Sequence, residues 1–198
     1  MSFSRQRGDP VLDDRWGRWW NARTNAMKAI LGQMDRAVYH APIPLEINAG
    51  FSGSADVVSF SEMFDGIAYV TSGLIGNDNQ RSSKFDNYEL MICHRAPSEW
   101  GPRIISRLAR YTLDAVLSPG ETMSLGPTVP PGSTITAFLF LEFAAFRVLG
   151  RNSGLLLCIG ITQDELDVSF DQGSSVIEHE LKEHLVYPYT DWVRPSVL

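Results

Sequence analysis

Cysteine is scarce in this chain, two residues in 198, and histidine is little commoner at four. Two thiols cannot staple a fold, so a disulfide framework is excluded. Cys93 and Cys158 each sit in an apolar, strand-like run, where a reduced and buried thiol is expected. A redox pair would need those two strands to be neighbours. Long apolar runs are missing too. The longest, Ile135 to Leu149, is broken by Glu142 and Arg147 and is too short to span a bilayer. The first residues, Met-Ser-Phe-Ser-Arg-Gln-Arg-Gly-Asp, lack an apolar signal core, so a cytoplasmic protein is expected. Neither G-x-x-x-x-G-K-[ST] nor G-x-G-x-x-G occurs, which leaves no phosphate or dinucleotide fingerprint. Gly50-Phe-Ser52-Gly53 lacks the spacing of a G-x-S-x-G nucleophile elbow. Internal repeats and low-complexity segments are absent as well.

A concentrated basic footprint is also wanting, which argues against nucleic acid as a partner. The net charge is −6, and it is uneven. Residues 1–111 hold 13 Lys and Arg against 12 Asp and Glu, whereas residues 112–198 hold 4 against 11. An acidic C-terminal half keeps a surface soluble and permits a basic protein partner there.

The apolar content of 44% and charged content of 20% are ordinary for one folded domain of this length. Tyr88, Leu90 and Ile92 alternate with Glu89, Met91 and Cys93, the period of a pleated strand. Trp100-Gly101-Pro102 then opens a helix, with Pro102 suited to its start. Ile104, Ile105, Leu108, Tyr111 or Thr112, Ala115 and Val116 share one face of it, and Arg103, Arg107, Arg110 and Asp114 fall on the other. Ser118-Pro119-Gly120 stops it. Trp16, Trp20, Arg23, Met27, Ile30 or Leu31, and Met34 predict an earlier helix, capped at Asp13 or Asp14 and running to about Met34. Short strands are expected at 45–48 and 56–60, and another at 67–75. Residues 76–83 are polar and aperiodic and read as an exposed loop. The runs 134–143 and 155–161 have no polar face and read as central strands covered on both sides. Thr162-Gln-Asp-Glu165 and Ser175-Val-Ile-Glu178 each read as a capping box, the second opening a helix to about Leu185. Helices and strands mix without regular βαβ alternation. The fold class is therefore α+β: a single domain with a mixed sheet whose central apolar strands are covered by helices.

His179-Glu180-Leu-Lys-Glu-His184 is the most metal-like motif. Zinc ligation from one helical face needs histidines four apart, as in H-E-x-x-H. Here they are five apart, about 140° around a helix. The expected reading is a wet face with Glu180 and His184 as an i,i+4 pair, and no metal or cofactor. Cys93 and His94 alternate across a strand and point to opposite faces, which is poor geometry for a thiolate–imidazole pair. Glu89, a carboxylate inside a strand, is expected to bond neighbouring backbone or an arginine, with Arg103, Arg107 and Arg110 on the next element.

Several blocks together resemble one family. They are Tyr88-Glu-Leu90, Trp100, Leu108-Ala-Arg-Tyr111 and Pro119-Gly120. Leu155-Leu-Leu-Cys-Ile-Gly-Ile-Thr-Gln-Asp-Glu165 and Asp191-Trp-Val-Arg194-Pro-Ser196 follow in order. This arrangement is similar to the suppressor of fused (SUFU) domain, over roughly residues 40–198. The resemblance divides the chain into an N-terminal helical segment, residues 1–40, packed on a SUFU-like domain, residues 41–198.

The resemblance implies a non-enzymatic protein-binding module. Animal members hold a transcription factor by adding a peptide strand between two lobes, and this chain has room for the first lobe. Free-standing bacterial relatives are associated with immunity proteins that neutralise toxins. A toxin or regulatory protein is thus the expected partner, with no nucleic acid and no membrane. Two other readings stand beside it: a metal-dependent hydrolase using His179, Glu180 and His184, and a homodimeric structural protein. Arg110 and Arg194 lie in the matching blocks. Each either faces a ligand or clamps a carboxylate or carbonyls where the C-terminal segment folds back. Strand addition needs an open sheet edge. The glycine- and serine-flanked strands at 45–48 and 56–60 are expected to supply it, with Val58 as its marker.

Overall fold

The structure is a computed structural model that describes residues 10–40, 44–48, 51–62 and 65–198. Among the described residues helix α1 spans Pro10–Leu31. Four short strands follow: β1 (Met34–Tyr39), β2 (Pro44–Asn48), β3 (Phe51–Ser54) and β4 (Val57–Phe60). Then come β5 (Ile67–Thr71), β6 (Asn87–His94), α2 (Trp100–Asp114) and β7 (Thr122–Ser124). The long strands β8 (Ile135–Val148) and β9 (Arg151–Thr162) precede α3 (Gln163–Gln172) and α4 (Ser174–Glu183).

Seven strands make one mixed sheet in the order β1-β4-β5-β6-β9-β8-β7, and β2–β3 form a separate hairpin. Every pairing in the large sheet is antiparallel except β6 with β9. Strands β8 and β9 turn through Leu149 and Gly150, with φ of 47° and 88°. Two positive φ values in a two-residue loop match the right-handed twist of the flanking strands.

The pleat sorts the core into two halves. Tyr88, Leu90 and Ile92 meet Ile104, Ile105, Leu108 and Ala109 of α2, with Phe138, Phe140 and Cys158 beside them. Met91, Leu139, Leu157 and Ile159 meet Met27 and Leu31 of α1, and Leu166, Ile177 and Leu181 of α3 and α4. Strands β8 and β9 are thus covered on both faces, as their unbroken apolar runs imply. Each fully buried Leu or Ile here is worth about 1.5–3 kcal/mol. Helix α2 comes close to β6 because residue 101 is glycine. A Cβ there would lie 2.4 Å from Nε2 of His94.

Five sequence expectations are corrected. The first helix stops at Leu31, not near Met34, because Gly32 takes a φ of 85°. Met34 then begins a strand. Trp16's side chain and residues 1–9 lie outside the described residues. Strand β5 ends at Thr71, not Ile75. The second capping box does not form, because Gly173 is the N-cap of α4 and Ser175 lies within it. The 76–83 segment is not wholly exposed, since Asn77 and Gln80 are buried. Finally, β4 is not an edge. It pairs with β1 on one side and β5 on the other, and Val58 sits in the core between Val38 and Val70.

Candidate functional site

Glu89 points to the α1 side of the sheet, since it alternates with Tyr88 and Leu90 of the other face. It is fully buried. Its Oε1 accepts the N–H groups of Gly73, Leu74 and Ile75 at 2.9–3.1 Å. Its Oε2 accepts the Thr71 hydroxyl at 2.7 Å. The guanidinium of Arg23, also fully buried, approaches to 3.7 Å. Arg23 further donates to the Ile75 carbonyl and Ser72 Oγ, and lies over the Trp20 ring. Burial pushes the Glu89 carboxyl up, and Arg23, the N–H groups and the Thr71 hydroxyl pull against it. The expected arginine partners on α2 are corrected: α2 packs on the opposite face, and the cation comes from α1.

Beyond the end of β5, side chains stand in for a missing strand. Thr71 Oγ1 accepts from Leu90 N–H at 2.8 Å. The Gln80 amide accepts from Tyr88 N–H and donates to Tyr88 C=O, both at 2.9 Å. A buried ladder edge is satisfied this way without a neighbouring strand.

A second buried pair holds the C-terminal segment. Arg194 grips Glu165 bidentately, each N–O distance 2.6 Å, and also donates to the Gly160 carbonyl. Glu165 closes the expected capping box with Thr162 and accepts from Val197 N–H. Burial pushes the Glu165 carboxyl up, but Arg194 and the N–H groups of Thr162 and Val197 outweigh it and hold it below its ordinary value. Thr190 adds four ties: its N–H donates to Cys93 C=O, its Oγ1 accepts from Gly160 N–H and donates to Cys158 C=O, and its carbonyl meets His94 Nδ1 at 2.7 Å. Burial holds the His94 imidazole below its ordinary value, against the Thr190 carbonyl and Asp191.

His184 lies 3.7 Å from Glu180 as the expected i,i+4 pair. Among the described residues no three His, Cys, Asp or Glu side chains converge on one point. Strands β6 and β9 are neighbours, but Cys93 and Cys158 belong to opposite halves of the core and remain free thiols. Burial pushes both thiols up, which makes them poor nucleophiles.

The surface offers the two ends of the sheet. Strand β1 is one, and its register with β4 shifts between Met34 and Val38. Strand β7 is the other. It pairs with β8 alone and was not foreseen, because three residues carry no readable period. Beside it lie two hollows of about 420 and 260 Å³ that share Tyr111 and Met123. Tyr111, Val116 and Phe170 stand exposed around them, Phe170 by 72%. Of the three binding candidates named from the sequence, Val58 and Arg194 are buried, and Arg110 is exposed on α2 next to Tyr111.

The family model described as "Suppressor of fused protein (SUFU)" matches residues 53–195. No curated protein matches the sequence. Among solved structures, a chain of the Sufu-Fu complex superposes with a TM-score of 0.69 at 11% identity, covering 91% of this chain and 92% of that one. A SUFU homologue from Neisseria gonorrhoeae FA 1090 gives 0.63 at 18% identity, covering 91% and 97%. Drosophila Suppressor of Fused gives 0.56 at 12%, covering 81% of this chain and 42% of that one.

Proposed function

The chain belongs to the suppressor of fused family, and on that premise we propose that it is a non-enzymatic module that captures a protein partner, specifically a toxin that it neutralises. The family is one of protein-interaction modules. The observation that carries the reading is the open side of the sheet at β7, flanked by exposed Tyr111, Val116 and Phe170. An unpaired strand edge next to an apolar hollow is a surface built for another polypeptide. Arg110, exposed on the same helix as Tyr111, is retained as a binding candidate. The related Sufu structure is itself a complex with Fu. The toxin reading draws on the family resemblance, whose free-standing bacterial members are associated with immunity proteins; the Neisseria gonorrhoeae homologue shares the fold. Two free, buried thiols suit a reducing cytoplasm.

Co-expression tests this. A gene adjacent to this one that encodes a toxin domain is expressed with and without the chain. Growth should be restored, and the two proteins should co-elute as a complex. Unrelieved toxicity in the presence of folded chain, for every such neighbour, rejects the toxin reading.

A further inference from the structure

We infer that the hollow between the β6–α2 turn and the C-terminal segment is a binding site for a small neutral aromatic alcohol, a phenol, whose hydroxyl bonds His94 and Trp192. This site stands apart from protein capture and does not depend on it. Strand β6 ends at His94, and residues 95–98 then turn toward α2. The C-terminal segment runs back beside that turn, held where Thr190 N–H donates to Cys93 C=O and Tyr189 bridges to Cys93. Between the two lies a hollow of about 440 Å³, inside the range of about 300–1,000 Å³ usual for small-molecule sites.

Two nitrogens decide the chemistry. Nε2 of His94 and Nε1 of Trp192 are buried without a hydrogen-bond partner, and both side chains line the hollow. Their rings are neighbours, with centroids 5.8 Å apart. Buried polar atoms are nearly always paired, so two orphans on neighbouring rings point to a ligand. Nδ1 of His94 lies 2.7 Å from the Thr190 carbonyl, which can only accept. In the neutral imidazole the proton is thereby fixed on Nδ1, and Nε2 is left as an acceptor. The indole N–H of Trp192 can only donate. A hydroxyl is the small group that answers both: its hydrogen goes to Nε2, and its oxygen takes the indole hydrogen. Gly101 keeps side-chain bulk away from the imidazole, since a Cβ there would lie 2.4 Å from Nε2.

The walls choose the rest of the ligand. Ala96, Pro97, Tyr189 and Val193 join Trp192 in offering apolar and aromatic surface. An aromatic ring suits them, packing edge-on or offset against Tyr189 and Trp192. Arg95 and Asp191 also line the hollow, and both are already engaged. Arg95 donates to the Leu185 carbonyl at 2.8 Å and lies over the Tyr189 ring at 4.1 Å. Asp191 accepts the Val193 N–H at 3.0 Å. Neither calls for a counter-charge, so the ligand is neutral.

The test follows the indole and imidazole signals of the whole chain by NMR as p-cresol is added. The indole signal missing from Trp192→Phe is that of Trp192. It should shift saturably with p-cresol, and the long-range nitrogen–proton spectrum should show His94 Nε2 moving while Nδ1 keeps its hydrogen. In p-xylene a methyl replaces the hydroxyl, and it should bind about tenfold more weakly or worse. Trp192→Phe keeps an aromatic ring but loses the donor. It should weaken p-cresol by about fivefold or more and leave p-xylene unchanged. No saturable shift, equal binding of p-xylene, or p-cresol binding untouched in a folded Trp192→Phe variant would overturn the assignment. If that variant does not fold, the comparison of the two ligands on the wild type decides alone. N-Acetyltyrosinamide carries the same phenol between two peptide groups. If it binds more tightly than p-cresol, the site takes a partner's tyrosine and the small-molecule assignment falls.

Discussion

Two buried arginine–glutamate pairs organise this molecule, and they are built differently. Glu89 sits mid-strand and takes most of its satisfaction from backbone N–H groups, with Arg23 standing off at 3.7 Å. Glu165 sits at a helix start and is gripped by Arg194 at 2.6 Å through both oxygens. The first pair ties α1 and the 71–75 segment to the sheet. The second ties down the C-terminal residues. The first therefore depends on the carboxylate, around which a loop is wrapped. The second depends on the shape of the cation.

Glu89→Ala should do the most damage. It leaves three inward-pointing N–H groups without their acceptor and a buried guanidinium without its counter-charge, at a cost of about 3–5 kcal/mol. Urea unfolding measures this, and a loss under about 1 kcal/mol would mean that the loop does not depend on the carboxylate. Arg194→Lys keeps the charge and loses the fork, so it should cost about 1.5–3 kcal/mol. If Arg23→Lys costs as much as Arg194→Lys, the contrast between the pairs is broken. Thr162→Ala removes one half of the capping box and should cost about 1 kcal/mol, read from the same unfolding curves.

The smallest effect is a difference in acid sensitivity. The carboxyl of Glu165 lies below its ordinary value in the folded chain. Its contribution is fully present above the unfolded carboxylate value of about 4.3 and is lost as pH falls through the folded one. Below about pH 4, wild-type stability should therefore fall more steeply than that of Glu165→Gln. Parallel curves would show that the pair gives no acid dependence.

Much of this was legible in the residues. Alternation around Tyr88 put Glu89 on the face opposite Leu90, and the Thr162–Glu165 spacing announced its helix. Arg194 stood out through the family resemblance, with a clamp on the returning segment as one of its two readings, and it grips Glu165. What failed was pairing at a distance. Glu89 was matched to arginines near in sequence, although its own face excluded α2. Met34 continued a helical stripe, so the strand it begins was hidden until Gly32 was seen to end the helix. The sheet edge was misplaced to Val58 because edges are decided by which distant strands dock. Gln80 looked solvated because a polar residue that replaces a strand looks, in sequence, like one that faces water.

The single parallel junction between β6 and β9 bears on the order of assembly. Strands β8 and β9 are joined by two residues, so their long ladder closes with little loss of chain entropy. Joining β6 to β9 requires closing the chain around all of α2, β7 and β8. Contacts distant along the chain form slowly. In pulse-labelled refolding, amides at the β8–β9 ladder should gain protection before those of Glu89 to Met91. The buried charge at Glu89 is then enclosed late, after the hairpin has provided a wall for β6 to close against.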